Sequence, residues 1–316
     1  MEQEYNYMVC TCCFTFNHAL YIVDAMNGFT MQETTFPVIT LIIDDGSTDD
    51  EQNVIRHYLA EHFQEPYRTE ETDDFQLICA NHNTNPNCTF IVYLLKYNHY
   101  SIKKSKLPYQ TYWIDKAKYQ ALCEGDDYWI SPHKLQRQIE YLETHPSHSL
   151  CFHAHYSVGS DEKKSECHRY EDNNDNCPMK DIILGGGGFM ATASMVYVRS
   201  LYSNRPDWVN NCPIGDAPLM LVLAERGMVG YINELMSCYR VDVPGSWSLR
   251  ISKNKRERKN LHNKMIQYKK DFDEWTGFKY HNYVRIALFY SNIAYYAKML
   301  PIITKLIGLV KRFKCC

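Results

Sequence analysis

The sequence predicts an α/β fold in which a mostly parallel central sheet is flanked by helices, Rossmann-like, with a helical extension at the C-terminal end. Three observations carry this. Short apolar runs at 7–14, 38–43 and 118–123 each end in a polar or acidic turn, and the next stretch has helical spacing. The second run, Val38-Ile39-Thr40-Leu41-Ile42-Ile43, is uninterrupted and β-branched, as in parallel strands covered on both faces. Composition then shifts after about residue 250: residues 1–250 carry 19 Lys+Arg against 33 Asp+Glu, while residues 251–316 carry 15 against 4.

With 316 residues, 45% of them hydrophobic, the chain can bury one large core or two modest ones. The acidic body argues against a nucleic-acid partner, because the basic residues gather only in the tail. Thirteen cysteines, with Cys10, Cys12 and Cys13 inside one apolar run, fit buried thiols in a reducing compartment better than a disulfide framework. Met1-Glu2-Gln3-Glu4-Tyr5 has neither the basic start nor the apolar stretch of a secretory signal, so a cytoplasmic protein is expected.

Taken in order, Tyr7–Phe14 reads as a buried strand ending in Thr15-Phe16-Asn17, and His18 to about Gln32 as a helix. The second strand runs into Asp44-Asp45-Gly46-Ser47-Thr48-Asp49, where Gly46 makes the turn and Ser47 or Thr48 caps a helix over 50–62. Strands are expected at 75–80 and 89–95. The segment 98–106, with three lysines and no periodicity, reads as a loop, either solvated or mobile near phosphates. Lys118–Cys123 is a further strand, and it runs into Glu124-Gly125-Asp126-Asp127-Tyr128-Trp129. Ser131 as cap and Pro132 at the first helical position then open a helix. Adjacent carboxylates at a strand end repel each other unless a cation or a donor compensates them, and hard oxygen ligands suit Mg²⁺ or Mn²⁺. A solvated acidic turn that only precedes a helix is the plainer alternative.

In the second half, 150–156 reads as a strand and 159–176 as a long loop. Gly185–Gly188 precedes an expected strand over 189–198 and frees its start to approach a ligand, but it lacks the Gly-Lys-Ser/Thr ending of a phosphate loop. Gly215-Asp216 opens a helix that stops at Gly227, and Asp216 there suits capping as well as catalysis.

The ordered set Thr15-Phe16-Asn17, Asp44–Asp49, Glu124–Trp129 and Gly215-Asp216 resembles the GT-A nucleotide-sugar glycosyltransferases, in particular inverting family 2 and its SpsA-like bacterial members. The resemblance spans roughly residues 5–250 and extends to Lys134-Leu135 with Gln138 and to Tyr239-Arg240 followed by Ser246-Trp247-Ser248. Phe14 and Glu124 depart from the common pattern. The resemblance implies a GT-A domain over 1–250, with a nucleotide half of about 1–130 and an acceptor half of about 131–250, and a basic helical extension over 251–316. It implies Asp127 as the ligand of Mn²⁺ or Mg²⁺ and Asp126 on the ribose or supporting the metal. Asp45 would read the nucleoside with Phe14, Thr15 and Asn17, while Asp44 reads it too or orients the turn. Asp216 would be the general base of an inverting transfer. Trp129, Thr192, Gly215 and Trp247 are candidates for the sugar or acceptor side. The partners implied are a nucleoside-diphosphate sugar, most simply a UDP-sugar, and a glycan or lipid-linked acceptor of cell-surface polysaccharide synthesis.

Two other readings stay open: nucleotidyl transfer, for which the Gly-rich basic signature near the first strand is missing, and a glycosyltransferase-like binding module without turnover. A zinc site from Cys151, His153, His155, Cys167, His168 and Cys177 matches no ligand-spacing template. In the tail, Ile302–Phe313 sets its large apolar residues on one stripe beside Lys and Arg. Lys298, Pro301 and Lys305 break any span of the roughly 20 apolar residues needed to cross a bilayer. Peripheral membrane contact through 299–316, or packing of that helix on the acidic body, is expected.

Overall fold

The computed structural model describes residues 5–243 and 254–297. The elements in order are β1 (Tyr7–Thr15), α1 (Ile22–Thr30), β2 (Val38–Asp44), α2 (Glu51–His62), β3 (Arg68–Glu71), β4 (Phe75–Asn81), β5 (Cys88–Leu95), α3 (Leu107–Ile114), β6 (Ala117–Leu122), β7 (Tyr128–Trp129) and α4 (Lys134–Thr144). There follow β8 (His148–Val158), β9 (Lys164–Cys167), α5 (Met179–Gly185), β10 (Val196–Val198), α6 (Ser200–Ser203), α7 (Asp216–Arg226), β11 (Met228–Arg240), α8 (Lys255–Trp275) and α9 (His281–Ala297).

One sheet runs in the order β3-β4-β5-β2-β1-β6-β10-β8-β11-β7, with β9 paired to β8. Its centre, β5-β2-β1-β6, is parallel, and antiparallel strands flank it. This is the expected α/β fold with a parallel core and C-terminal helices. The uninterrupted apolar run of β2 has a simple cause. Its seven residues are all buried, and alternate side chains enter different cores: Val38 and Ile42 join Val9, Cys13 and Phe90, while Ile39, Leu41 and Ile43 join Cys10, Cys12 and Trp113. Each such side chain taken fully from water contributes about 1.5–3 kcal/mol.

The chain divides into two compact units. The first comprises the described parts of Met1–Cys177, Met190–Asn204 and Leu223–Ser246 and contains the whole sheet. The second comprises Pro178–Phe189, Arg205–Val222 and the C-terminal helices. In it, Trp208 packs on Phe272 and Trp275, with ring centroids 6.2 and 6.1 Å apart. The helix α8 is capped by Asn254, whose Oδ1 accepts from Arg256 N and Glu257 N at 3.0 and 3.2 Å.

Several local expectations fail for identifiable reasons. Neither Ser47 nor Thr48 caps α2; Asp49 Oδ1 accepts from Glu51 N at 3.1 Å, and Ser47 Oγ is turned toward Glu51 instead. Pro132 lies before α4, whose N-cap position is His133, and Ser131 Oγ accepts only from His133 N. The strand expected over 189–198 shrinks to β10, because two 3₁₀ turns, Gly186–Gly188 and Thr192–Ser194, take up its beginning. The segment 98–106 is tied down: Lys104 Nζ pairs with Asp74 and Lys106 Nζ with Asp45, both at 2.7 Å. The 159–176 loop contains the short strand β9. Helix 302–313 and the contact expected of 299–316 lie outside the described residues.

Candidate active site

Strands β2, β1 and β6 are adjacent and parallel, with Thr15 beside Asp44 and Cys12 beside Leu122, so their carboxyl ends share one sheet edge. Ligands of open α/β sheets gather at such an edge. The turns here are stitched together by main-chain bonds: Asp45 N donates to Thr15 O at 3.0 Å and Gly125 N to Phe14 O at 3.1 Å. Gly125 must be glycine, since a Cβ there would come 2.1 Å from Thr15 Oγ1. Gly46, at φ +70°, has the same need: a Cβ would lie 2.3 Å from the Tyr97 carbonyl carbon.

The turn after β2 is rich in protein donors, although the buried Asp44 Oδ2 has no hydrogen-bond partner among the described residues. Asp44, fully buried, accepts at Oδ1 from Gly46 N (3.2 Å), Ser47 N (3.1 Å) and Gln52 Nε2 (2.5 Å). Burial pushes its carboxyl above the usual range, and those donors oppose the shift. Asp45 accepts from His99 N (2.9 Å), Tyr100 N (3.2 Å) and Lys106 Nζ (2.7 Å). Asn17, at φ +58°, accepts at Oδ1 from Thr48 N and Asp49 N and so joins the β1 and β2 turns. Beneath them, buried Glu51 accepts from Thr15 Oγ1, from His18 N (2.9 Å) and from Ser47 Oγ (2.8 Å). Burial pushes its carboxyl up to about 7 against those donors.

The turn after β6 is built differently. Ligand oxygens of Glu124, Asp126 and Asp127 lie within 4.8 Å of one another. Asp127 Oδ1 accepts from Arg240 N at 2.8 Å, whereas its buried Oδ2 has no hydrogen-bond partner among the described residues. Burial, then the neighbouring Asp126 and Glu124 carboxylates, push the Asp127 carboxyl well above its ordinary range. Arg240 clamps the turn: Nη1 donates to Asp126 O at 2.8 Å, Nη2 pairs with Asp24, and the guanidinium lies 4.4 and 4.9 Å from the Tyr128 and Tyr21 ring centroids. His18 Nε2 stands 3.8 Å from Asp126 Oδ2. Three acidic oxygens with one orphaned acceptor fit a divalent cation.

Trp129 lies beneath this turn, not on its surface. It is 2% exposed, its Nε1 donates to Ala193 O at 2.9 Å, and the buried Lys134 Nζ sits 4.1 Å from its ring centroid. Lys134 in turn donates to Gln138 Oε1 at 2.7 Å, and burial drives its ammonium down to about 7. Phe14, Thr15, Asn17, Asp44, Asp45, Asp126 and Asp127 are thus brought together at one sheet edge. Thr192 lies in the 3₁₀ turn before β10.

In the second unit, Asp216 is the first residue of α7 and its Oδ1 accepts from Ala217 N at 2.8 Å. Burial raises its carboxyl from the usual range. A Cβ on Gly187 would lie 3.2 Å from Asp216 Oδ2, so the glycine run makes room for this carboxylate. Gly215 is exposed with open space about it, and Trp247 lies outside the described residues. The motif reading missed Glu51 and His18. It noted Arg240 in the Tyr239-Arg240 pair and Lys106 in the 98–106 segment, but gave neither its partner. The zinc set does not form: among the described residues the one group of three or more such ligands close enough to share an ion is the acidic trio.

No known family profile matches this sequence. It is 32% identical over 235 residues to uncharacterized proteins of Mycobacterium tuberculosis and Mycobacterium bovis, a match that covers 74% of this chain. The chain spans 58% of the length of those curated relatives. Among solved structures it is similar to S. aureus TarS 1-349 in complex with UDP-GlcNAc, with a TM-score of 0.53 and 12% identity over 83% of this chain and 65% of that one. It is similar too to the mannosyltransferase PcManGT from Pyrobaculum calidifontis in complex with GDP-Man and Mn²⁺, with a TM-score of 0.53 and 11% identity over 98% and 84%. At such identities the likeness is one of fold, and the fold is one that glycosyltransferases use.

Proposed function

We propose that this chain is a metal-dependent, inverting glycosyltransferase of the GT-A type, of family 2. It moves a sugar from a nucleoside-diphosphate sugar, a UDP-sugar in the simplest case, to a glycan or lipid-linked acceptor in cell-surface polysaccharide synthesis. Residues 1–250 would form the transferase domain, and the basic segment 299–316 would add peripheral contact with a membrane from the cytoplasmic side. The observation that carries this reading is the acidic trio at the end of a central parallel strand, with one buried Asp127 oxygen left without a hydrogen-bond partner among the described residues.

Asp127, supported by Asp126 and Glu124, would hold Mg²⁺ or Mn²⁺, which when bound supplies a Lewis acid to the departing diphosphate. Asp126 orients the ribose. Asp45 takes the nucleoside against the β1 turn of Phe14, Thr15 and Asn17, exchanging Lys106 for a base N–H. Asp44 holds the turn that aims Asp45. Asp216 accepts the acceptor hydroxyl's proton at a carboxylate oxygen as that hydroxyl attacks, and its burial makes it a stronger base than a solvated aspartate. Thr192, Gly215 and Trp247 are proposed for the acceptor side, and Trp129 supports the site from beneath. The titratable base predicts a rate that falls as pH drops through its raised carboxyl pKa.

The test is Asp216→Asn with UDP-sugars and Mn²⁺. Transfer should fall by about 10²–10⁴ while nucleotide binding, read by calorimetry, persists. A wild-type protein that binds nucleotide sugar but transfers nothing would favour the binding module instead.

A further inference from the structure

The helix α9 buries one flank and displays the other. Val284 and Ala287 are buried, and Tyr295 stacks on His262 of α8 with ring centroids 4.1 Å apart. Around the axis from these, Tyr283, Ile286, Phe289, Ile293 and Tyr296 recur at intervals of three and four residues and so share a second flank. All five are exposed, Phe289 to 61% and Tyr296 to 57%. Scattered exposed apolar residues are ordinary, but an aligned row of five on one helix marks an interaction surface.

Charge identifies what covers it. Residues 281–316 contain six Lys and Arg and no Asp or Glu, in a chain whose formal net charge is -3. Tyr, Phe and Ile on one helical flank, in an acid-free and basic stretch, match the chemistry of an anionic lipid interface, where aromatic rings sit at headgroup level and cations meet phosphate. No described helix is long and apolar enough to cross a membrane. We propose that the outer flank of α9 lies on the surface of an anionic bilayer, with the basic residues that follow it reinforcing the attachment. This surface is distinct from the site at the sheet edge and does not depend on the transfer reaction.

Flotation of the full chain with vesicles tests this without donor or turnover. The wild type should float with phosphatidylglycerol-containing vesicles, much less with pure phosphatidylcholine, and less at high salt. The double variant Phe289→Ser/Ile293→Ser should bind at least ten-fold more weakly with an unchanged melting temperature. If that variant unfolds, Phe289→Ser alone repeats the test. Lys305→Gln/Lys311→Gln/Arg312→Gln should also weaken binding about ten-fold or more, since each basic residue near such a surface contributes about 1 kcal/mol. Absence of wild-type flotation with anionic vesicles overturns the proposal. So does light scattering that shows a dimer which Phe289→Ser/Ile293→Ser converts to monomer, because the flank would then pair two copies.

Discussion

Two Asp-Asp pairs end strands on either side of β1, and they are supplied with donors to different degrees. Asp44 and Asp45 accept six hydrogen bonds from within the protein, one of them from the Lys106 ammonium, although Asp44 Oδ2, like Asp127 Oδ2, is buried without a partner among the described residues. Asp126 and Asp127 share their turn with Glu124, and buried Asp127 gains one main-chain donor for two oxygens. The same dipeptide at the same sheet edge thus serves as a brace in one place and as a concentration of negative charge in the other. What separates them is the supply of donors: the 98–106 segment closes over the first pair, while the second has the backbone and guanidinium of Arg240.

Asp127→Asn puts the largest strain on this contrast. Loss of a metal-holding carboxylate should reduce transfer at least about 100-fold, several kcal/mol at the barrier. In metal-free buffer its melting temperature should rise, because a buried carboxylate among like charges is replaced by a neutral amide. A lower melting temperature would mean that the second turn is a brace as well. Asp45→Asn should go the other way in stability, losing about 1–3 kcal/mol in urea titration as Lys106 and two N–H groups lose their charged acceptor. Arg240→Lys should cost about 1 kcal/mol, since an ammonium keeps the charge but not the flat stack on Tyr21 and Tyr128.

The mildest effect concerns Glu51. Unfolded, it releases its proton near 4.5; folded, it keeps it to about 7. Between those values the native chain binds the extra proton, so this group's contribution to stability is full below 4.5 and declines as pH rises toward 7. In Glu51→Gln the melting temperature should decline less over that range, as differential scanning calorimetry would record.

Much of the fold was readable in the residues because strands buried on both faces leave uninterrupted apolar runs, as in β2, and because two such runs lead into paired carboxylates in the same chain order as the motifs. The helix α1 was legible from its spacing, and α7 from its Gly-Asp opening and the Gly227 that follows it. The braces were not. Glu51 reaches Thr15 across 36 positions and Lys106 reaches Asp45 across 61, and no local pattern encodes a partner that only tertiary folding supplies. Trp129 shows the converse: adjacency to the acidic pair suggested a surface ring, yet strand pairing of Trp129 with Ser237 carries it inward.

The buried thiols have a practical consequence. Cys10, Cys13 and Cys123 lie in the sheet core, where burial and neighbouring groups hold them far from thiolate, and burial keeps Cys88 and Cys151 protonated to about pH 12. Thiolates attack alkylating reagents, so the native core should stay silent to iodoacetamide, and among the described cysteines the partly exposed Cys167 should react first, since burial pushes the Cys212 thiol up to about 11. The chain therefore carries its own chemical stopwatch: the delay before the core cysteines are modified measures how often the sheet opens.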